Sequence, residues 1–516
     1  MLCLLCGCAV TPGAQPPARP PRLVVFLTVD QLRPDYFQVF ASHLTGGLDR
    51  LARGGAVFLN GFQDHANTET APGHASTMSG RFPRSTGIVA NSAGVEDRST
   101  PLVNDPGLGA SPSRFRGTVL FDWIKKQMPA AQALSVSRKD RGAILPLGTA
   151  REQIYWYSGR KFTTSVYYRD SLPLWVNEFN ARGLPQSYAG KVWNPLLPPN
   201  EYPEPDSVAT ESAGRNFVFP HPFPDDSARA AAVLQETPMM DDVTLAFALH
   251  GLQALSLGTK EGVTDILAVS LSSTDAVGHR YGPDSRELHD QIVRLDRTLG
   301  RFLDSLFTLR DSTQIVFALT SDHGVTPVPG SKSRYPNGGA GFVDLAPVLQ
   351  RFLTPLRSQG LDESVIDYSI DMLFMNRTAV AAKGMNPDSL ARAFAIAVRE
   401  VPGVQRADLV SELARRDTTR DYVARRWLHM LPPQLPAVVA VTLKPYWLYA
   451  GIPIATHGSP HDADARVPII FWGAGVKPGK HSRAVRVVDM GPTLAAIVGV
   501  TPLERLDGTV LREAMR

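Results

Sequence analysis

At 516 residues the chain has room for one large α/β domain with insertions, or for two or three domains of average size. Hydrophobic residues at 43% and charged residues at 20% are the balance of an ordinary globular protein, and a formal charge of +4 predicts neither a nucleic-acid stripe nor a membrane-binding surface. All three cysteines, Cys3, Cys6 and Cys8, fall in the first eight residues, so the body has no intramolecular disulfide and any metal there must be held by Asp, Glu or His.

The apolar opening MLCLLCGC ends in a box that resembles a bacterial lipoprotein cleavage site, with Cys8 as the lipidated residue and a Pro-rich tether behind it. An extracytoplasmic, periplasmic protein with a lipid anchor at Cys8 is therefore expected. No later run approaches the ~20 apolar residues of a membrane helix. Leu23–Val29 is a continuous apolar, β-branched run, as in a strand buried on both faces of a parallel sheet. It ends at Asp30, where open α/β sheets place their ligands, although a cap for a following helix is the plainer role. Residues 31–51 read as helix and 56–59 as a short strand leading to NTETAPGHASTMSG. There Thr70 precedes a small-residue helix, with its hydroxyl at an N-terminus whose free N–H groups and dipole favour an anion such as phosphate. Asn91 stands alone in a loop and reads as a turn residue. Residues 133–136 form a strand, followed by SRKDRGA, where Lys139 and Arg141 either belong to a solvated loop or point together at a doubly charged group.

Residues 153–240, aromatic and rich in Pro, read as an insertion covering the sheet as a lid. Aromatic and basic residues interleave there without concentrated charge, so no nucleic-acid partner is expected. A helix at 243–257 leads to a second buried strand, 266–271, which runs into Asp275 and His279. Apolar spacing from Leu288 to Leu306 marks a long amphipathic helix on which His289 is a packing residue. A third buried strand, 315–320, ends in Asp322 and His323; a second insertion occupies 330–449, with helices near 344–353, 387–401 and 409–415; and His457 precedes a last buried strand at 467–472. The chain closes with a helix at 490–498. This alternation predicts an α/β fold with a mostly parallel central sheet and helices on both faces. Asp30, Asp275, His279, Asp322, His323 and His457 then share one sheet edge. Carboxylate and imidazole are the ligands zinc takes without thiolates, and six are too many for one ion but suit two, with Thr70 between them.

The segments VVFLTVDQLRPDY, TAPGHASTMSG, SSTDAVGHRYGP, LTSDHG, THGSPHDADARVP and the closing VVDMGPTLAAIVGV resemble the alkaline phosphatase superfamily. The likeness is nearest to the phosphate-irrepressible alkaline phosphatases and their neighbours, the nucleotide pyrophosphatase/phosphodiesterases. After the leader and tether read over 1–22, it implies a single alkaline-phosphatase-like catalytic domain over 23–516, within which the insertions fall at about 153–240 and 330–449. It also implies two Zn2+, one surrounded by Asp30, Thr70, Asp322 and His323, the other by Asp275, His279 and His457. Thr70 would be the nucleophile of a phosphothreonine intermediate. Asn91, with the backbone N–H after Thr70, would hold a phosphoryl oxygen, and Lys139 and Arg141 match the pair that grips phosphate in the irrepressible phosphomonoesterases. Two cations favour a dianion, so small phosphate monoesters are the expected substrates, with a phosphodiesterase or nucleotide pyrophosphatase as the alternative. A sulfatase of this fold would need Cys or Ser in place of Thr70 and Arg in place of His74.

Overall fold

The run Leu23–Val29 forms strand β1 and is buried along its whole length, since Val, Leu and Phe on both faces leave no side for water. The computed structural model of the protein describes residues 20–327, 329, 339–451 and 455–516. The cysteines and the lipoprotein-like box lie outside the described residues. The main sheet continues with β2 (Ala56–Phe62), β3 (Ala133–Ser137), β4 (Gln153–Ser158), β5 (Lys161–Thr163), β6 (Asp265–Leu271), β7 (Ile315–Thr320), β8 (Arg466–Gly473) and β9 (Gly479–Arg486), in the order β9-β2-β8-β7-β1-β6-β3-β4-β5. Neighbours are parallel except at the β4–β5 hairpin and at β8, which runs against both β2 and β7.

The reversal of β8 explains the placement of the candidate ligands. Strands running one way deliver the residues that follow them to one sheet edge; a reversed strand delivers the residues that precede it. Asp30, Lys139, Asp275 and Asp322 follow β1, β3, β6 and β7, whereas His457 comes before β8. In register, Val29 faces Leu271 and Thr28 faces Thr320, which brings Asp30 level with Asp322. Two apolar layers cover the faces. Val25, Leu27 and Val29 pack under helices Met239–Ala254 and Arg286–Leu309, while Val24 and Phe26 pack under Leu120–Gln127 and Met490–Val498. This is the two-residue alternation of a strand covered on both sides.

Three expectations change. Residues 31–51 hold only two short helices, Tyr36–Val39 and Gly47–Gly54. The chain must turn at Gly46 and Gly47 because it lies against the long helix, where an added Cβ would come within 2.3 Å of the Asp296 carbonyl oxygen or 2.4 Å of Leu299. The first insertion starts later than residue 153, since β4 and β5 extend the main sheet. The second is more than helices. Ile366–Ser369, Met372–Met375, Ala437–Leu443 and Val404–Leu409 make an antiparallel sheet with its own core, against helices Ala346–Ser358 and Pro387–Arg399. Helix Tyr422–Met430 is clamped to the body at Asp64, whose carboxylate accepts from Arg425 at 3.0 Å and Arg426 at 3.3 Å. Among the described residues no helix is long and apolar enough to cross a membrane.

Candidate active site

Helix α1 (Thr70–Thr77) is buried throughout, and Thr70 is its first residue rather than its cap. Glu69 occupies the capping position, but its side chain does not bond the helix N–H groups. Asn91 supplies the missing acceptor: its Oδ1 takes the Ala71 N–H at 2.9 Å, while its own N–H is held by the Glu69 carboxylate. Asn91 is thus tied to the start of α1 and leaves its amide N–H groups for another acceptor. The helix rests directly on the turn after β7. A Cβ on Gly73 would lie 2.2 Å from the Asp322 carbonyl oxygen, so only glycine permits this approach.

Around Thr70 the expected side chains converge. The Lys139 ammonium stands between Asp30 and Asp275, 2.6 Å from Asp275 Oδ2 and 3.4 Å from Thr70 Oγ1. His323 Nε2 lies 3.3 Å from Asp30 Oδ1 and 3.7 Å from Asp322 Oδ2. His279 Nε2 lies 3.1 Å from Asp275 Oδ1 and 3.2 Å from His457 Nε2. Two donor groups result, Asp30 with Asp275 and His323, and Asp275 with His279 and His457, each with its atoms within 4.8 Å of one another. Asp275 stands in both. Arg141 is on the Lys139 loop, but its guanidinium pairs only with the neighbouring Asp140, at 3.5 Å, among the described residues.

The donor set fits divalent cations. Nδ1 of His279, His323 and His457 lies 3.0, 2.9 and 2.8 Å from the carbonyl oxygens of Ala455, Gly324 and Thr68. A carbonyl oxygen only accepts, so each Nδ1 carries a proton, and in the neutral ring each Nε2 presents its lone pair inward. Two such lone pairs facing each other repel unless positive charge stands between them. Asp30 Oδ1, Asp322 Oδ2 and His323 Nε2 are also buried without a hydrogen-bond partner, a costly arrangement for groups of this polarity. The electrostatics show the same demand for positive charge. Burial pulls the His323 imidazole down, yet Asp322 and Asp30 outweigh it and push its pKa up to about 9. Burial disfavours the Asp275 charge, yet Lys139 and His279 hold that carboxyl well below the usual range. Burial and the neighbouring His323 push His457 down instead.

Two further side chains order the cluster. His74 Nδ1–H faces the Thr70 carbonyl at 2.9 Å and the Asp322 carboxylate at 3.2 Å, and Nε2 accepts from the Ser270 hydroxyl at 2.9 Å. Its spacing from Thr70, one helical turn on the same face, is a signal that the sequence does carry. Gln31 has no such signal. Its backbone is left-handed at φ 65°, from which its N–H donates to Asp322 Oδ1 at 3.2 Å and its side-chain amide to Asp275 Oδ1 at 2.9 Å.

A family model described as type I phosphodiesterase / nucleotide pyrophosphatase matches residues 24–453. The chain is 30% identical to alkaline phosphatase PhoV of Synechococcus elongatus, over 96% of this chain and 93% of that one. It is also 30% identical to alkaline phosphatase PhoK of Sphingomonas sp, over 96% and 91%. Alkaline phosphatase PafA of Elizabethkingia meningoseptica is 27% identical, over 93% of this chain and 92% of that one. A crystal structure of wild-type PafA matches the fold with a TM-score of 0.88 at 26% identity, covering 98% of this chain and 100% of that one. With its mostly parallel sheet and the convergence of ligands at one edge, the chain belongs to the type I phosphodiesterase / nucleotide pyrophosphatase family of the alkaline phosphatase superfamily.

Proposed function

We propose that this protein is an alkaline phosphatase, a metal-dependent hydrolase of small phosphate monoesters that works through a phosphothreonine on Thr70. The observation that carries this is the Thr70 hydroxyl at the start of a buried helix, 3.4 Å from a lysine ammonium seated between two carboxylates. The named relatives PhoV, PhoK and PafA support it. A second PafA structure carries substitutions at one Thr, one Asn, one Lys and one Arg, spaced within each pair as Thr70 and Asn91, and Lys139 and Arg141, are here.

Two Zn2+ are the proposed cofactors, Asp30, Thr70, Asp322 and His323 holding one and Asp275, His279 and His457 the other. Bound there, such ions supply Lewis acidity at the attacking and leaving oxygens. The chain's own groups do the rest. Thr70 Oγ attacks phosphorus, the P–O bond to the alcohol breaks, and water then cleaves the phosphothreonine to release phosphate. Asn91 is placed to donate to a phosphoryl oxygen beside Ala71. With Asp30 and Asp275 serving as metal ligands, the Lys139 ammonium would be free to turn with Arg141 to the dianion. Charge spreads over the phosphoryl oxygens in the transition state, so fixed donors act there more than on the ground state.

Relative rates on an aryl phosphate and a bis-aryl phosphate test the reading, repeated with Lys139→Ala and Arg141→Ala. The monoester is expected to be preferred, and each variant to lower that preference. Preference for the diester, or unchanged monoester turnover in both variants, overturns it in favour of a phosphodiesterase. Lipidation at Cys8 and a periplasmic location belong to the same proposal, and mass spectrometry of the mature N-terminus tests them.

A further inference from the structure

Next to Lys139 in the chain stands a part-buried guanidinium with no protein partner among the described residues. Arg138, between the end of β3 and Lys139, makes no hydrogen bond or ion pair among the described residues, and its Nε is buried without a partner. Burial pushes it below the usual arginine range, opposed by the attraction of Asp275, Asp30 and Asp241 and reinforced by the repulsion of Arg141. None of those carboxylates bonds it. Asp30 and Asp275 take the Lys139 ammonium, and Asp275 also takes the Gln31 amide. Asp241 accepts the Ser273 N–H at 3.2 Å and the Gln291 amide at 3.0 Å. Arg141, the cation that repels Arg138, likewise has a buried Nε with no partner.

Two under-used guanidiniums thus flank Lys139 and repel each other, an arrangement that an oxyanion relieves by accepting from both. Lys139 and Arg141 already answer the two charges of a monoester; Arg138 is one cation more. We propose that Arg138 is an additional substrate-binding residue, and that the site favours phosphate monoesters carrying a second oxyanion close to the transferred phosphoryl group. The inference rests on the monoesterase reading above and deepens it to a substrate class.

Phosphoglycolate and ethyl phosphate differ by a carboxylate in place of a methyl group at the same distance from phosphorus, and so isolate the second charge. The ratio of kcat/KM for phosphoglycolate over ethyl phosphate is expected to favour phosphoglycolate in the zinc-loaded wild-type protein. It should fall by about tenfold in Arg138→Met, with partial recovery in Arg138→Lys, since charge-assisted pairs of this type are worth roughly one decade or more. An unchanged ratio in Arg138→Met overturns the proposal, whatever the absolute rates. Inhibition of the wild-type protein by phosphonoacetate and ethylphosphonate needs no variant: phosphonoacetate should bind about tenfold more tightly, and equal inhibition overturns the proposal. A wild-type protein that cleaves neither ester overturns the monoesterase reading itself, a result distinct from an unchanged ratio.

Discussion

The two halves of the site use the same donor chemistry and differ in their surroundings. The side chains of Asp30, Asp322 and His323 are 0% exposed, whereas His279 is 38% exposed and His457 8%. The first half is set in the core, walled by α1 through Gly73 and His74 and by the strained Gln31 backbone. The second half is hung on the rim, from helix Ser273–Tyr281 and the loop before β8. On the mechanism proposed above, the difference would divide the tasks. The Thr70 side is closed in by packing; the other side meets solvent, where an alcohol would depart and water arrive.

The contrast can be broken first at the hydroxyl between the halves. Thr70→Ala is expected to lower monoester turnover by at least about 10³-fold while the protein retains most of its bound metal; turnover near wild type would mean that neither half serves that residue. Next come the ligands. Asp322→Asn should cost metal, thermal stability and about 10²-fold or more in activity, because it alters a fully buried centre; His279→Gln should cost metal and activity with little change in Tm. Elemental analysis beside a melting curve separates them, and equal melting temperatures would show burial to be irrelevant.

A finer test uses Gln31. A non-glycine residue held at positive φ costs roughly 1–3 kcal/mol, so Gln31→Gly relieves strain while removing the amide on Asp275. Stability is expected to hold or rise as activity falls by about tenfold, and the opposite pairing would remove Gln31 from the positioning of the carboxylates. The smallest effect lies outside the site. Burial raises the Asp64 carboxyl, but His429 and Arg425 outweigh it and hold it well below the ordinary value of 3.8. A depressed folded-state pKa stabilises above the unfolded value and is lost as pH falls. Asp64→Asn should therefore cost about 2–3 kcal/mol at neutral pH, discounted for the partly exposed Arg425, and the gap from wild type should close below about pH 4 in denaturant titrations.

Much of this architecture is legible in the sequence where burial is two-sided. β1, β6 and β7 are unbroken apolar runs, and the acidic and histidine residues at their ends stand out for that reason. β9, GKHSRAVR, is an edge strand exposed along most of its length and has no apolar pattern to read. The four-stranded sheet of the second insertion joins one hairpin of four-residue strands, Ile366–Ser369 and Met372–Met375, to two strands far from it in sequence, so local periodicity gives only its helices. Within the site, Gln31 depends on a backbone angle and Asn91 on a fold-imposed meeting with Ala71, neither of which leaves a mark in residue type. Arg138 is hidden by its own neighbourhood, one basic letter in a loop of them.

The reversed strand has a bearing on how this enzyme comes into being. β2, which leads to Thr70, joins β7 only through β8, from nearly the other end of the chain. The pairing that seats β2 in the sheet therefore waits on almost the whole polypeptide. Pairings of such long range are slow to form, and the same late stretch of chain carries His457.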